Sequence, residues 1–281
     1  MVTPSLSSLF SLLFLGKLLV GIQTVAALEQ SPAPSPSFPG KQDNPVIAVD
    51  LELVLAVDVS HSVDDYEASL QRQGYIDALR DPAVIEAITS GPQGRVAITY
   101  IEWAGSRYQH PVIGWSLLDS RESAWAFAQA LESQPITSAP STSISSIIDV
   151  AIISLFGNAY QGDRLVIDIS GDGPNSDGRH VREARDDAIA LGITINGLPV
   201  LSSRPNPNGL GPPSAWLDAY YIKNVIGGTN AFLMEVIEFE NFGPALKEKL
   251  KREISGSTEI SLSSGSSLPA HFSRHSPQKP P

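Results

Sequence analysis

Three segments of this chain are apolar on both sides of an extended backbone, and few folds can accommodate that. Residues 48–59 (AVDLELVLAVDV), 95–101 (RVAITYI) and 165–169 (LVIDI) carry Leu, Ile and Val at consecutive rather than alternating positions. Such strands need cover on both faces, which a mainly parallel sheet between two helical layers provides. The intervening sequence has helical spacing. Val63, Tyr66 and Leu70 share one face, with Ile76 and Leu79 further along. Residues 120–131, 143–156, 182–191, 216–225 and 242–254 are predicted helices, and Gly192 closes the one ending at Leu191. Residues 111–115 and 193–198 are predicted strands, and 231–236 is predicted to be extended. The class is α/β, and sheets of this kind bind ligands in the loops at the carboxyl ends of their strands.

The two ends differ from the middle. Residues 1–27 are apolar and Ser-rich and finish in Val25-Ala26-Ala27, which reads as a secretory signal peptide. No basic residue precedes the apolar run, and Lys17 lies inside it, so an uncleaved anchor is the alternative; Lys17 shortens the run below the ~18 residues a spanning helix needs. No membrane span is expected in the mature chain, which would be periplasmic or extracellular. Residues 28–45 form a Pro-rich linker, and 255–281 a Ser/Pro-rich tail too poor in apolar residues to offset chain entropy. The folded domain is therefore expected over 46–254. Lys and Arg total 19 against 30 Asp and Glu, a net charge of −11 with no basic cluster. That balance argues against nucleic acid as a partner and against a polybasic membrane surface. The absence of Cys excludes disulfides, thiolate metal ligands and Cys nucleophiles.

Candidate chemistry gathers at strand ends. The first long strand runs into Asp58-Val59-Ser60-His61-Ser62, and the strand at 165–169 runs into Ser170-Gly171-Asp172-Gly173. Between them, Thr142 opens a predicted helix. Two carboxylates and three hydroxyls make an all-oxygen set of the kind preferred by hard cations such as Mg2+. Each part also has a plainer reading. Asp172-Gly173 suits a turn, Ser62 with Asp65 a capping box, and Thr142 a helix N-cap.

In combination, these residues resemble the metal-ion-dependent adhesion site of von Willebrand factor A domains. The resemblance extends through Leu70-Gln71-Arg72-Gln73-Gly74-Tyr75, Tyr100-Ile101-Glu102-Trp103-Ala104-Gly105, Gly171-Asp172-Gly173-Pro174-Asn175, Gly192 to Pro199, and Tyr220-Tyr221 with Val225-Ile226-Gly227-Gly228. It is carried most closely by an exported bacterial subfamily of unknown function within that group. It implies a three-layer, Rossmann-like fold with a mostly parallel six-stranded sheet in the order 3-2-1-4-5-6. It also implies a divalent metal, Mg2+ or in its place Mn2+ or Ca2+, held by Asp58, Ser60, Ser62, Thr142 and Asp172. Two neighbouring positions depart from the subfamily. Residues 139–141 are Ala-Pro-Ser where a Gly-containing turn is usual, and Asn224 stands where Cys is common.

The function expected from this reading is non-enzymatic: an exported module binding a protein partner that donates an Asp or Glu carboxylate to the metal. The alternatives are a periplasmic metal-dependent hydrolase or phosphatase with Asp168 or Glu102 as base, and a metal-free scaffold. No G-x-S-x-G, G-x-x-x-x-G-K-[ST], H-E-x-x-H or strand-following G-x-G-x-x-G motif supports an enzyme. Asp168 is expected to be a buried carboxylate satisfied by backbone or hydroxyl donors; Glu102 and Trp103 are expected either to line the metal face or to be a solvated Glu and a core Trp. His61 is expected to point away from the site, and the loop at 202–213 to shape a partner surface or to be a tolerated insertion.

Overall fold

The computed structural model describes residues 46–204 and 216–256; the predicted leader, linker and tail, and most of the 202–213 loop, lie outside the described residues. Elements alternate along the chain. They are β1 (Ile47–Val49), β2 (Leu51–Asp58), α1 (Asp65–Arg80), α2 (Pro82–Thr89), β3 (Val96–Trp103), β4 (Gln109–Leu118), α3 (Arg121–Glu132), α4 (Ile144–Phe156), β5 (Tyr160–Gly162), β6 (Leu165–Gly171), α5 (Val181–Ala190), β7 (Thr194–Pro199), α6 (Leu217–Asn224) and α7 (Phe242–Ser255). The central sheet has the order β4-β3-β2-β6-β7, parallel except for β4. This is the three-layer α/β arrangement expected of a von Willebrand factor A-like domain.

The two-sided strands divide their side chains between two cores, as the period of two requires. Leu51, Leu53, Leu55 and Val57 pack with α1, α2, α3 and α7. Val54 and Ala56 pack with α4, α5 and α6. Trp103 is fully buried in the second core, one of its two expected placements.

Several expectations are corrected. Among the described residues the central sheet has five paired strands where the resemblance implies six. Residues 231–236 run beside β7 and hydrogen-bond to it, as from the Gly197 N–H to the Phe232 carbonyl at 3.1 Å, but they form isolated parallel bridges, Gly197 to Leu233 and Val200 to Val236, rather than a continuous ladder. The predicted first strand, 48–59, is broken at Asp50, whose carboxylate accepts from the backbone N–H of Gln93 at 2.8 Å and of Arg95 at 3.2 Å. The short β1 pairs with β5 instead of joining the main sheet. Helix α2, absent from the sequence reading, starts with Asp81 as N-cap and Pro82 in its first turn. Asn224 closes α6 by donating from its amide to the Tyr220 carbonyl at 3.0 Å.

Candidate functional site

The carboxyl ends of β2 and β6 lie side by side in the sheet, so Asp58 and Asp172 emerge as neighbours from segments far apart in sequence. Beyond β2 the chain turns sharply, with the Val63 N–H bonded to the Ser60 carbonyl at 2.9 Å. The Ser60 N–H donates to Asp58 Oδ1 at 2.7 Å. The Ser60 and Ser62 hydroxyls lie 2.8 Å apart, and Ser62 Oγ donates to Asp172 Oδ1 at 2.6 Å. Four of the five expected donors thus form one hydrogen-bonded group, with Asp58, Ser60 and Asp172 buried.

The fifth, Thr142, borders the group. A side chain on Gly173 would meet Thr142 Oγ1 at 3.8 Å, which places the hydroxyl against the Asp172-Gly173 turn. Its loop is pinned from two sides. The Ser143 N–H donates to the Ala104 carbonyl at 2.7 Å, and the Thr142 carbonyl accepts from the N–H groups of Ser176 and Asp177 at 2.8 and 3.2 Å. Where a Gly-containing turn is usual, Ser141 holds a left-handed conformation with φ of 68°.

Two of the plainer readings are corrected here. The N-cap of α1 is Asp64, in a reciprocal capping box with Glu67, not Ser62 with Asp65. The N-cap position of α4 is Ser143, not Thr142. Neither Ser62 nor Thr142 is therefore needed as the cap of a helix.

Electrostatically the site is acidic; among the described residues Arg204 pairs with the neighbouring Asp64 at 3.0 Å and Glu67 at 3.9 Å rather than with Asp58 or Asp172. Burial, and then the nearby Asp172 charge, push the Asp58 carboxyl up to about 8, against the pull of its bonds from Ser60. Burial also pushes Asp172 up to about 6, while Ser62 draws it down and the Glu67 charge raises it further. Neither shift has a cation among its causes. Among the described residues no three His, Cys, Asp or Glu side chains gather as a metal cluster. This group instead has two carboxylates and three hydroxyls, and that donor chemistry fits a hard divalent cation.

The two acids considered as catalytic bases are engaged elsewhere. Glu102 is buried rather than solvated: it pairs with Arg72 and accepts from the Thr137 hydroxyl at 3.0 Å. Asp168 is buried, as expected, but its donor is an ammonium rather than a backbone or hydroxyl group: Lys249 Nζ lies 2.5 Å from Oδ1. Lys249 also pairs with Glu253 on its own helix. Sequence reading missed this partner because α7 meets β6 only in the folded domain. His61 is exposed, as read, and His180 accepts from the Arg182 N–H at the start of α5.

Solved structures share the fold at low sequence identity. Proximal thread matrix protein 1 from the mussel byssus, in a structure described as having a zinc-occupied MIDAS motif, aligns with a TM-score of 0.51 and 15% identity over 75% of this chain. The chain spans about half of that protein, 47% of its length. A conserved hypothetical protein, BatB from Bacteroides thetaiotaomicron, aligns at 0.50 and 18% identity, covering 74% of this chain and 100% of its own. The pilus adhesin SpaC from Lactobacillus rhamnosus GG aligns at 0.52 and 12% identity over 77% of this chain and 32% of its own. No curated protein matches the chain in sequence. A family model does match, over residues 48–258, and by it the chain belongs to the protein family of unknown function DUF1194.

Proposed function

We propose that this domain is a non-enzymatic protein-binding module whose adhesive element is a divalent cation held by Asp58, Ser60, Ser62, Thr142 and Asp172. The observation that carries the proposal is the pair of buried carboxylates drawn together at the ends of β2 and β6 with no Lys or Arg among the causes of their pKa shifts. Two like charges at one buried site are costly unless protonated or neutralised. A divalent cation supplies that neutralisation and offers open positions to an outside ligand. Mg2+ suits a set with few carboxylates, and Mn2+ or Ca2+ are the alternatives. The three hydroxyls supply neutral oxygens, so the bound ion keeps positive charge to attract a partner's Asp or Glu. The mussel protein's zinc-occupied MIDAS motif and the adhesin name of SpaC support the reading by likeness of fold.

The hydrolase reading loses support because both candidate bases already hold a cationic partner, Glu102 with Arg72 and Asp168 with Lys249. We read the domain as exported, on the leader pattern at residues 1–27. Among the described residues no helix is long and apolar enough to cross a membrane.

Titration calorimetry with Mg2+ tests the metal site, using wild type, Asp58→Ala and Asp172→Asn, each checked for folding by circular dichroism. The expected result is saturable binding by wild type and at least tenfold weaker binding by both variants. Equal binding by all three, or binding by none, overturns the proposal.

A further inference from the structure

Asp58 uses only one of its carboxylate oxygens in the hydrogen-bonded group. Oδ1 accepts from Ser60, but Oδ2 is buried without a partner. A second orphan lies beside it. Tyr221, fully buried on α6, has a phenol hydroxyl that is also without a partner. Buried polar atoms left unpaired cost ~1–3 kcal/mol each, so two adjacent orphans call for a common explanation.

Two glycines on neighbouring strands bring them together. A side chain on Gly197 of β7 would strike the Tyr221 ring at 2.8 Å, so the ring lies across that backbone. A side chain on Gly171 of β6 would stand 2.9 Å from Tyr221 Oη and 2.9 Å from Asp58 Oδ2. The two oxygens thus border one small space, the one a methyl group on Gly171 would fill. Both glycines are required by this close approach rather than by backbone conformation, since neither has a positive φ.

We propose that Tyr221 is a positioning residue for the site at Asp58. Its hydroxyl donates to Asp58 Oδ2, either after a small shift or through one bridging water in the gap over Gly171. The bond fixes the rotation of the carboxylate, so that the Oδ1 edge stays turned toward Ser60. It is strongest when Asp58 is ionised, because a charged acceptor makes the stronger hydrogen bond. This inference rests on the metal-binding reading for its functional consequence, but not for the contact itself.

The test is a double-mutant cycle on the full chain with Tyr221→Phe, Asp58→Ala and the pair, measuring Mg2+ affinity by calorimetry and urea stability in EDTA. Tyr221→Phe keeps the ring and removes only the hydroxyl. The expected result is a three- to tenfold higher Kd for Mg2+ with an unchanged circular dichroism spectrum. In EDTA, the expected result is a Tyr221→Phe effect that largely disappears in the Asp58→Ala background. A Kd within twofold of wild type overturns the positioning role and leaves the metal reading intact. If wild type binds no Mg2+, the metal reading fails and the EDTA cycle decides the contact: coupling supports it, and strict additivity overturns it. Strict additivity with a raised Kd also overturns it, because the hydroxyl would then act without Asp58.

Discussion

The carboxylates buried in this domain fall into two groups, and the contrast between them separates structure from function. In the interior, Asp168 and Glu253 face Lys249, and Glu102 faces Arg72. At the strand ends, Asp58 and Asp172 face each other and a set of hydroxyls. The first group brings its own cations from α7 and α1, and the pairs tie each of those helices to the sheet. The second group is as deeply buried, and among the described residues no Lys or Arg pairs with either carboxylate. A fold gains little from such an arrangement by itself, and the cation proposed above would supply the charge that balances it.

The largest effect expected from this contrast is at Lys249. Replacing it with Met leaves two fully buried carboxylates without a cation and should cost about 3–5 kcal/mol in urea denaturation. Arg72→Met should cost less, because Thr137 still donates to Glu102. A loss below about 1 kcal/mol at Lys249 would break the distinction between the two groups.

Next in size is a pH effect in the interior group. Glu253 is pushed up to about 7 by burial and then by the Asp168 charge, with Lys249 and Asn196 pulling the other way. Asp168 is itself raised by burial and held back by Lys249. Lys249 on α7, Asp168 on β6 and the Asn196 amide on β7 face this carboxyl, the Arg164 and Tyr75 side chains lie within reach of its charge, and Arg252 lies over the neighbouring Phe232 ring. Since the folded-state value lies above the ordinary 4.5, the native state holds a proton that the unfolded chain has released. Stability should therefore fall as pH rises from about 4.5 to about 7. Glu253→Gln should remove about 3 kcal/mol of that fall, measured as the difference between wild-type and variant unfolding free energies across the window. Parallel curves for the two proteins would place the proton elsewhere.

The strand-end group should respond to substitution in the opposite sense to Lys249. In EDTA above pH 8, where Asp58 and Asp172 are both ionised, Asp58→Asn or Asp172→Asn removes a repulsion, while the amide oxygen can still accept from Ser60 or Ser62. Stability should hold or rise by up to about 1 kcal/mol. In Mg2+ the order should reverse, with wild type gaining thermal stability and both variants gaining none. A destabilised Asp172→Asn in EDTA would show that the carboxylate serves the fold.

Much of this was readable from the chain. The doubly apolar strands required a covered sheet, and β2, β3 and β6 lie within a few residues of the expected segments. The five donors were legible because each sits at a strand end or at the start of a helix, where local pattern fixes position. What escaped depended on long-range contact. Lys249 reads as one more Lys on an amphipathic helix until α7 packs on the sheet and buries it. Tyr221 reads as a core aromatic until Gly171 and Gly197 open a lane for its ring. The capping error at Ser62 arose because Asp64 with Glu67 offers the same spacing two residues later. The sixth strand was lost because residues 231–236 pair with β7 only at isolated points, which composition does not reveal.

The smallest effect tests whether the site end of the domain is also strained in its backbone. Ser141 holds φ of 68° immediately before Thr142. For a residue with a side chain, that left-handed geometry costs about 1 kcal/mol, and Gly adopts it without penalty. The turn cannot relax easily, because Gly105 approaches so closely that a side chain there would meet the Pro140 carbonyl at 2.8 Å and Ser141 Cβ at 3.0 Å. Ser141→Gly should therefore stabilise the metal-free domain, by roughly 0.5 kcal/mol after the added entropy of the unfolded chain is set against the strain relieved. The same change loosens the loop that presents Thr142, so Mg2+ affinity should fall two- to threefold in calorimetry. Stability gained with binding lost would locate the strain in the service of the site. Stability lost instead would mean that the Ser141 side chain supports the fold, and the contrast would then rest on charge alone.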